Sequence, residues 1–264
     1  MTSPRPLLSR RRLLGLGAAG AGSLLLAGCD RWSAGTSDFR KDVLDRVDEL
    51  TEGAQRLVMR DTSLAREYGE ADISSYFRAN GNIRVNDREY NRLAEGAFAE
   101  YRLPVTGLVD RPLSLSMADI RGMPARTQIT RHDCVEGWSC IGKWTGPQLG
   151  PILDLAGVQP TARFVMFYCY DDFGNTLSGP IRYYESLGIR DCYHPQTILA
   201  WGMNDGTLPI PHGAPLRLRV ERQLGYKHAK FLREIRIVDS FENIGRGHGG
   251  YYEDGDGYEW YAGI

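Results

Sequence analysis

From Tyr101 onward the chain is a succession of short apolar runs broken by turn residues, and that texture excludes most architectures. Val105–Val109, Thr127–Arg131 and Phe164–Tyr168 read as strands, as do Ile198–Met203, Leu208–Ile210, Leu216–Glu221 and Phe231–Val238. Asn204-Asp205-Gly206 sits between two of them as a hairpin signal, because Asn, Asp and Gly tolerate the left-handed backbone of a tight turn. Pro112 opens a loop, Ser116 and Asp119 form a capping box for a short helix through Arg121, and Leu149–Leu155 reads as a second helix. Strands dominate, helices are few and no internal repeat is visible. The expected class is α+β with mixed sheets, in a single domain over residues 76–264.

Before that domain the texture differs. Residues 61–100 are polar and turn-rich, with Asn80-Gly81 marking a tight turn. Phe39–Met59 repeats Val43, Val47, Leu50, Ala54 and Leu57 at helical spacing, and residues 33–37 are small and polar. Residues 30–75 are thus expected to form a tether and an N-terminal helical cap.

Residues 1–29 read as an export signal. Arg10-Arg11-Arg12 precedes an apolar run, Leu13–Ala27, that is short for a membrane span and rich in glycine and alanine. Leu26-Ala27-Gly28-Cys29 resembles a lipoprotein processing box, so Cys29 is the expected acylated residue and the membrane surface an expected contact. A twin-arginine signal serves proteins exported already folded, which suits a chain that acquires a bulky cofactor first. The expected location is the periplasm or cell envelope. Loss of residues 1–28 removes four arginines and shifts the formal charge from -1 to -5, with 28 Lys and Arg against 33 Asp and Glu. The folded part carries no basic arm, so nucleic acid is not an expected partner.

Beyond Cys29 lie Cys134, Cys140, Cys169 and Cys192. An even count in an oxidising compartment invites disulfides. No C-x-x-C pair and no haem-attachment motif occurs among them. Two glycine patterns fail as nucleotide motifs: Gly137–Lys143 is followed by Trp144 instead of serine or threonine, and Gly245, Gly247 and Gly250 lead into an aromatic tail read as non-helical.

Chemistry concentrates in two motifs. Cys134 follows a strand and opens a polar loop, Cys134-Val135-Glu136-Gly137-Trp138-Ser139, and a thiolate is the ligand a soft or redox-active metal selects. The run resembles the metal loop of periplasmic methionine-sulfoxide reductase catalytic subunits, members of the sulfite oxidase family; Trp144 and Gly146 continue the likeness. The second motif, His212-Gly213-Ala214-Pro215-Leu216-Arg217, is similar to the pterin-gripping segment of that family, with Lys230 at the family's lysine spacing.

The resemblance implies a mixed-sheet molybdopterin-binding fold as the single catalytic domain, molybdenum and molybdopterin as cofactors, and Cys134 as metal ligand. It further implies His212, Arg217 and Lys230 as cofactor-binding residues, with His228 and Ala229 offering backbone groups to the same phosphate. Phe77-Arg78-Ala79-Asn80 resembles a segment whose arginine faces substrate and whose asparagine meets the pterin, so Arg78 is a candidate catalytic residue and Asn80 a cofactor contact. Cys169 and Asp171 fall at pterin-facing positions. In the tail, Tyr258 is the candidate active-site tyrosine, with Tyr251 and Tyr252 as alternatives. Ser139 replaces an arginine of animal-type sulfite oxidases, and their haem and dimerisation domains have no counterpart, which leaves sulfite unsupported as substrate.

The implied activity is oxygen-atom transfer on a small oxyanion or sulfoxide, with electrons exchanged with a separate membrane haem protein or cytochrome. The alternatives are a protein-methionine-sulfoxide reductase for envelope repair, and a non-enzymatic envelope lipoprotein that retains the fold.

Overall fold

The fold was obtained as a computed structural model. It describes residues 63–176 and 179–264, together with Gly53. The export signal, Cys29, the tether and, but for Gly53, the helix expected over Phe39–Met59 lie outside the described residues. The chain divides into two compact units, and the second, Gln55–Ile264, holds every element below.

The described elements run α1 (Arg88–Glu95), β1 (Arg102–Gly107), β2 (Leu113–Ser116), α2 (Met117–Gly122), β3 (Ala125–Cys134), β4 (Trp138–Pro147), α3 (Leu149–Ala156), β5 (Phe164–Thr176) and β6 (Gly179–Gly188). Then follow α4 (Ile189–Cys192), β7 (Ile198–Ala200), β8 (Gly202–Met203), β9 (Gly206–Thr207), β10 (Arg217–Arg219), β11 (Leu232–Val238) and α5 (Tyr251–Asp256). They make a five-stranded sheet ordered β2-β1-β11-β5-β6, a four-stranded sheet β3-β4-β8-β9, and the pair β10-β7. Only β1 and β11 run parallel in the larger sheet, so the α+β class with mixed pairing is what the chain forms.

The larger sheet is held by its alternating residues. Leu103, Val105, Val165, Phe167, Ile235 and Ile237 are fully buried in one core with Ile152 and Leu153 of α3 and Ile120 of α2. Each such side chain contributes about 1.5–3 kcal/mol on leaving water. Ser116 caps α2 in a reciprocal box with Asp119, as its sequence indicates. β3 and β4 form a long hairpin in unbroken register from Ala125 opposite Pro147 to Cys134 opposite Trp138. Gly146 lets that hairpin meet β7, since a Cβ there would lie 2.0 Å from the Leu199 carbonyl oxygen.

Several expectations need correction. The stretch 61–100 contains α1, whose apolar stripe is only Tyr90 and Leu93. The residues after Pro112 are strand β2, because they pair with β1. The loop after Cys134 is three residues long before β4 begins, and this strand also occupies the P-loop-like stretch. Asn204 and Asp205 take the positive-φ positions of the hairpin turn, but its return strand is Gly206–Thr207, and Ile210 sits in a 3-10 turn. The tail is partly helical: α5 starts after extended Gly250 and ends at left-handed Gly257, so the glycines punctuate a helix there. The four described cysteines are free thiols, and the two buried ones lie apart, Cys169 on β5 and Cys192 at the end of α4.

Candidate active site

Cys134 ends β3 at the tip of the long hairpin, where Gly137 adopts a positive φ and its N–H closes the turn on the Cys134 carbonyl at 3.0 Å. Its side chain is half-buried beside a cavity of about 110 Å³. Burial pushes the thiol up from its ordinary value, while the Glu136 backbone N–H and the Arg217 and Arg78 charges pull it down. A thiolate at this tip is therefore favoured by a cation in the cavity. Among the described residues no group of three or more His, Cys, Asp and Glu is gathered for a metal. Cys134 is the soft donor among the residues that line the cavity.

One wall is cationic and polar. Arg217, on β10, is fully buried; it donates to Asn80 Oδ1 at 2.9 Å and to the His212 carbonyl at 3.3 Å. Its guanidinium and that of Arg219 lie over the buried Trp144 ring, 5.2 and 4.3 Å from its centroid. Lys230 directs its ammonium to the carbonyls of Asn80, Asn82 and Pro211 at 2.6, 2.5 and 3.1 Å. Those three bonds use all its donors, so Lys230 fixes the Asn80–Asn82 lip and acts on a ligand by its charge. Burial, then Arg217, pushes the Lys230 ammonium down to about 7, and burial pushes the neighbouring Asp171 carboxyl up to about 7. Gly213, at φ 110, makes room for the Lys230 stem: a Cβ there would stand 2.9 Å from the lysine's own Cβ.

The histidines are neutral for the same reason. Burial, then Arg217, lowers His212 to about 4, and burial takes His132 and His228 well below the ordinary range. Arg219 Nη1 lies 3.0 Å from His132 Nδ1 and is itself clasped by Glu221, which Gln128 also contacts. That chain of bonds steadies β3 two residues before Cys134. His228 Nε2 faces the Gln223 carbonyl at 3.0 Å, which leaves Nδ1 as an acceptor.

Arg217 Nε, His212 Nδ1, His228 Nδ1 and Asp171 Oδ1 are buried without a partner among the described residues. Native interiors rarely leave such atoms unsatisfied, and two of the four belong to residues that line the cavity, Asp171 and His228. A phosphate-bearing heterocycle with ring N–H groups supplies the matching acceptors and donors. The donor set thus fits molybdopterin, with Cys134 positioned for its metal.

The opposite wall is aromatic. Tyr252 and Tyr258 are stacked at 5.2 Å, and Tyr226 meets Tyr258 edge-on at 5.0 Å. These three line the cavity with Phe173 and Tyr183. Tyr251 instead stacks on Phe173 at 4.4 Å and does not line it. Lys227 ties the tail to the sheet through Glu185 at 2.5 Å and Glu253 at 2.7 Å, all three buried.

The structure brings together most of the candidate residues. Cys134, Asn80, Asp171, His228, Lys230 and Tyr258 line the cavity, with Arg217 and His212 directly behind. Arg78 does not line it. It is 58% exposed, sits over the Trp138 ring at 5.5 Å and faces Glu136, 45% exposed, at 3.6 Å. Cys169 is fully buried where β5 pairs with β11, and Ala229 is buried behind His228; neither reaches the cavity wall. Sequence reasoning missed Tyr183, Tyr226, Phe173 and Asn82, which belong to no motif and converge only through the fold.

Residues 91–243 match the family described as oxidoreductase molybdopterin binding domain. The "Putative protein-methionine-sulfoxide reductase subunit YedZ1" of Azospira oryzae is 38% identical over 62% of this chain and 56% of its own length. The protein-methionine-sulfoxide reductase catalytic subunit MsrP of Xanthomonas campestris is 37% identical over 53% of this chain and 45% of its own. The chain therefore spans about half the length of the curated relatives it matches. A solved structure, the sulfane dehydrogenase SoxCD from Paracoccus pantotrophus, aligns at a TM-score of 0.48 and 24% identity over 54% of this chain and 39% of that one. With more than half its length in the family match and a thiol, buried cations and unsatisfied polar atoms around one cavity, the chain belongs to the oxidoreductase molybdopterin-binding domain family.

Proposed function

We propose that this oxidoreductase reduces a thioether sulfoxide, using molybdenum held by molybdopterin and by Cys134. The observation that carries the substrate class is the ring-lined wall, which presents Tyr252, Tyr258 and Phe173, while Arg78 is turned outward onto Glu136. A neutral sulfoxide with apolar substituents packs on such rings, and the arginine that would draw an anion to the mouth is engaged elsewhere. The relatives' names favour methionine sulfoxide within proteins over the broader class of small oxyanions.

When bound, the cofactor supplies two-electron oxygen-atom transfer. The protein's own residues do the rest. Arg217, His212, His228 and Asp171 hold and orient the cofactor through the unpartnered atoms described above. Lys230 keeps the Asn80–Asn82 lip over it. The tyrosine stack excludes water from one side, and in this reading Tyr258, which lines the cavity, donates its hydroxyl to a sulfoxide oxygen. Reduction consumes two electrons and two protons and releases the thioether and water. A separate haem protein of the membrane or a cytochrome supplies the electrons in this reading, in the periplasm, after twin-arginine export and with a tether at Cys29. Among the described residues no helix is long and apolar enough to cross a membrane.

The test is turnover of the full chain, purified from a cofactor-competent host, with a reduced artificial electron donor. Methionine sulfoxide, free and in an oxidised protein, is expected to be reduced, and sulfite oxidation is expected to be at least about tenfold slower in kcat/KM. The reverse preference would establish the oxyanion reading, and a purified protein lacking molybdenum would establish the non-enzymatic one.

A further inference from the structure

Behind the aromatic wall, two carboxylates share one ammonium. Lys227 Nζ stands 2.5 Å from Glu185 Oε1 and 2.7 Å from Glu253 Oε1, and all three side chains are buried. The two carboxylates also converge on Gly250, where a Cβ would lie 2.1 Å from Glu253 Oε2 and 2.8 Å from Glu185 Oε1. Fully ionised, the cluster would bury one uncompensated negative charge; one proton removes it.

Of the two carboxylates, Glu185 is the one beside a hydroxyl of the cavity wall. Tyr183, which lines the cavity, has one hydroxyl proton and donates it to the Tyr226 carbonyl at 2.5 Å. The same hydroxyl lies 3.4 Å from Glu185 Oε2. With its proton engaged there, the Tyr183 oxygen keeps a lone pair that can accept from a protonated Glu185. Glu185 Oε1 meanwhile accepts from the Ser186 N–H at 2.8 Å and from Lys227. The groups facing Glu185 are Tyr183 and Tyr184 on its own strand, Lys227 and Tyr226 from the 3-10 turn Gly225–Lys227, Glu253 from α5, and Cys169 from β5. Burial first, and Glu253 second, raise the Glu185 carboxyl far above its ordinary value.

We propose that the Glu185–Lys227–Glu253 cluster holds one proton and passes it through the Tyr183 hydroxyl to substrate oxygen in the cavity. The inference rests on the sulfoxide-reduction reading, in which the electrons come from the external redox partner and this cluster supplies one of the two protons, water the other. The Glu185 O–H bond breaks as the Tyr183 oxygen takes that proton, and the tyrosine's own proton leaves its carbonyl partner for the substrate oxygen. The carboxylate left behind is held by Lys227 and regains a proton from water through Glu253.

Two variants and two readouts test it. Infrared spectra of the cofactor-free chain at neutral pH are expected to show a protonated-carboxyl band that Glu185→Gln removes and Tyr183→Phe retains. In the loaded enzyme both variants are expected to keep their molybdenum yet lose about 100-fold in kcat, and Glu185→Gln to abolish the alkaline fall of kcat. A wild-type chain without the band overturns the proposal. So does a Glu185→Gln enzyme with unchanged kcat and pH profile. If Glu185→Gln does not fold, Tyr183→Phe with unchanged kcat overturns it equally. Failure of sulfoxide reduction in the wild type would sink the functional reading, while the infrared band still decides whether the proton is held.

Discussion

The two walls of the cavity are built on opposite principles. The cationic wall hangs from strands and tight turns of the domain, with Arg217 on β10 and Lys230 just before β11, and its charges are buried, bonded and few. The aromatic wall is contributed by the tail, the 3-10 turn and the outer strands, and its rings hold one another by stacking and edge contacts. The first wall leaves polar atoms unsatisfied; the second presents rings and hydroxyls. On the proposed reading the first wall recognises the cofactor and the second shapes the substrate, so damage to each should read out differently.

The largest effect is expected at the seam between them. Cys134→Ser replaces the soft donor, and both molybdenum content and turnover should collapse, turnover by at least about 1,000-fold, or about 4 kcal/mol of barrier. Full metal content in that variant would remove the ligand assignment. On the cationic wall, Lys230→Met leaves three lip carbonyls without their donor. Stability in urea should fall by about 1–3 kcal/mol and cofactor content should fall with it. A variant that keeps its cofactor would show that Lys230 serves the lip alone.

The histidines on that wall give a pH test. Their folded-state affinity for protons is lowered by burial and by Arg217, to about 4 for His212 and well below the usual range for His132 and His228. A depressed value means the unfolded chain binds protons first as pH falls. Their contribution is therefore intact above about 6.5 and lost progressively toward about 4, and unfolding midpoints of the cofactor-free chain should drop across that window. His212→Gln should flatten part of the slope; an unaltered slope would assign it to other groups.

The aromatic wall should respond more gently. Tyr258→Phe removes one hydroxyl and keeps the stack, so metal content should stay whole while kcat/KM for methionine sulfoxide falls about 3- to 10-fold, the worth of one hydrogen bond. The smallest effect is expected at Arg78→Ala, within about twofold for a neutral sulfoxide, because this exposed arginine already faces Glu136. A large loss there would restore Arg78 as a substrate contact and shift the reading back toward an anion.

The same contrast explains what the sequence made legible. Cys134, His212 and Arg217 lie in compact motifs whose resemblance to a known family singled them out, with Lys230 at that family's spacing. Tyr183, Tyr226 and Phe173 carry no local signature; they meet through β5–β6 pairing and the docking of α5. β6 was invisible because its inward residues include Glu185 and Ser186, which break the apolar alternation that announces a strand. α1 was hidden by an apolar face of two residues, and α5 by glycines that bound a helix instead of breaking it. Cys169 was misjudged for the opposite reason: its neighbour Asp171 reaches the cavity, but Cys169 lies at the β5–β11 pairing and is buried in the core. Periodicity finds elements whose inside is apolar, and this domain puts some of its chemistry inside.

The Lys230 ammonium has one further consequence. Because it fastens Asn80, Asn82 and Pro211 through bonds internal to the chain, the lip's position does not depend on what the cavity holds. Less conformational entropy is then left to lose at that lip when a ligand binds, and the part of the binding free energy that arranging a loose loop would consume is kept.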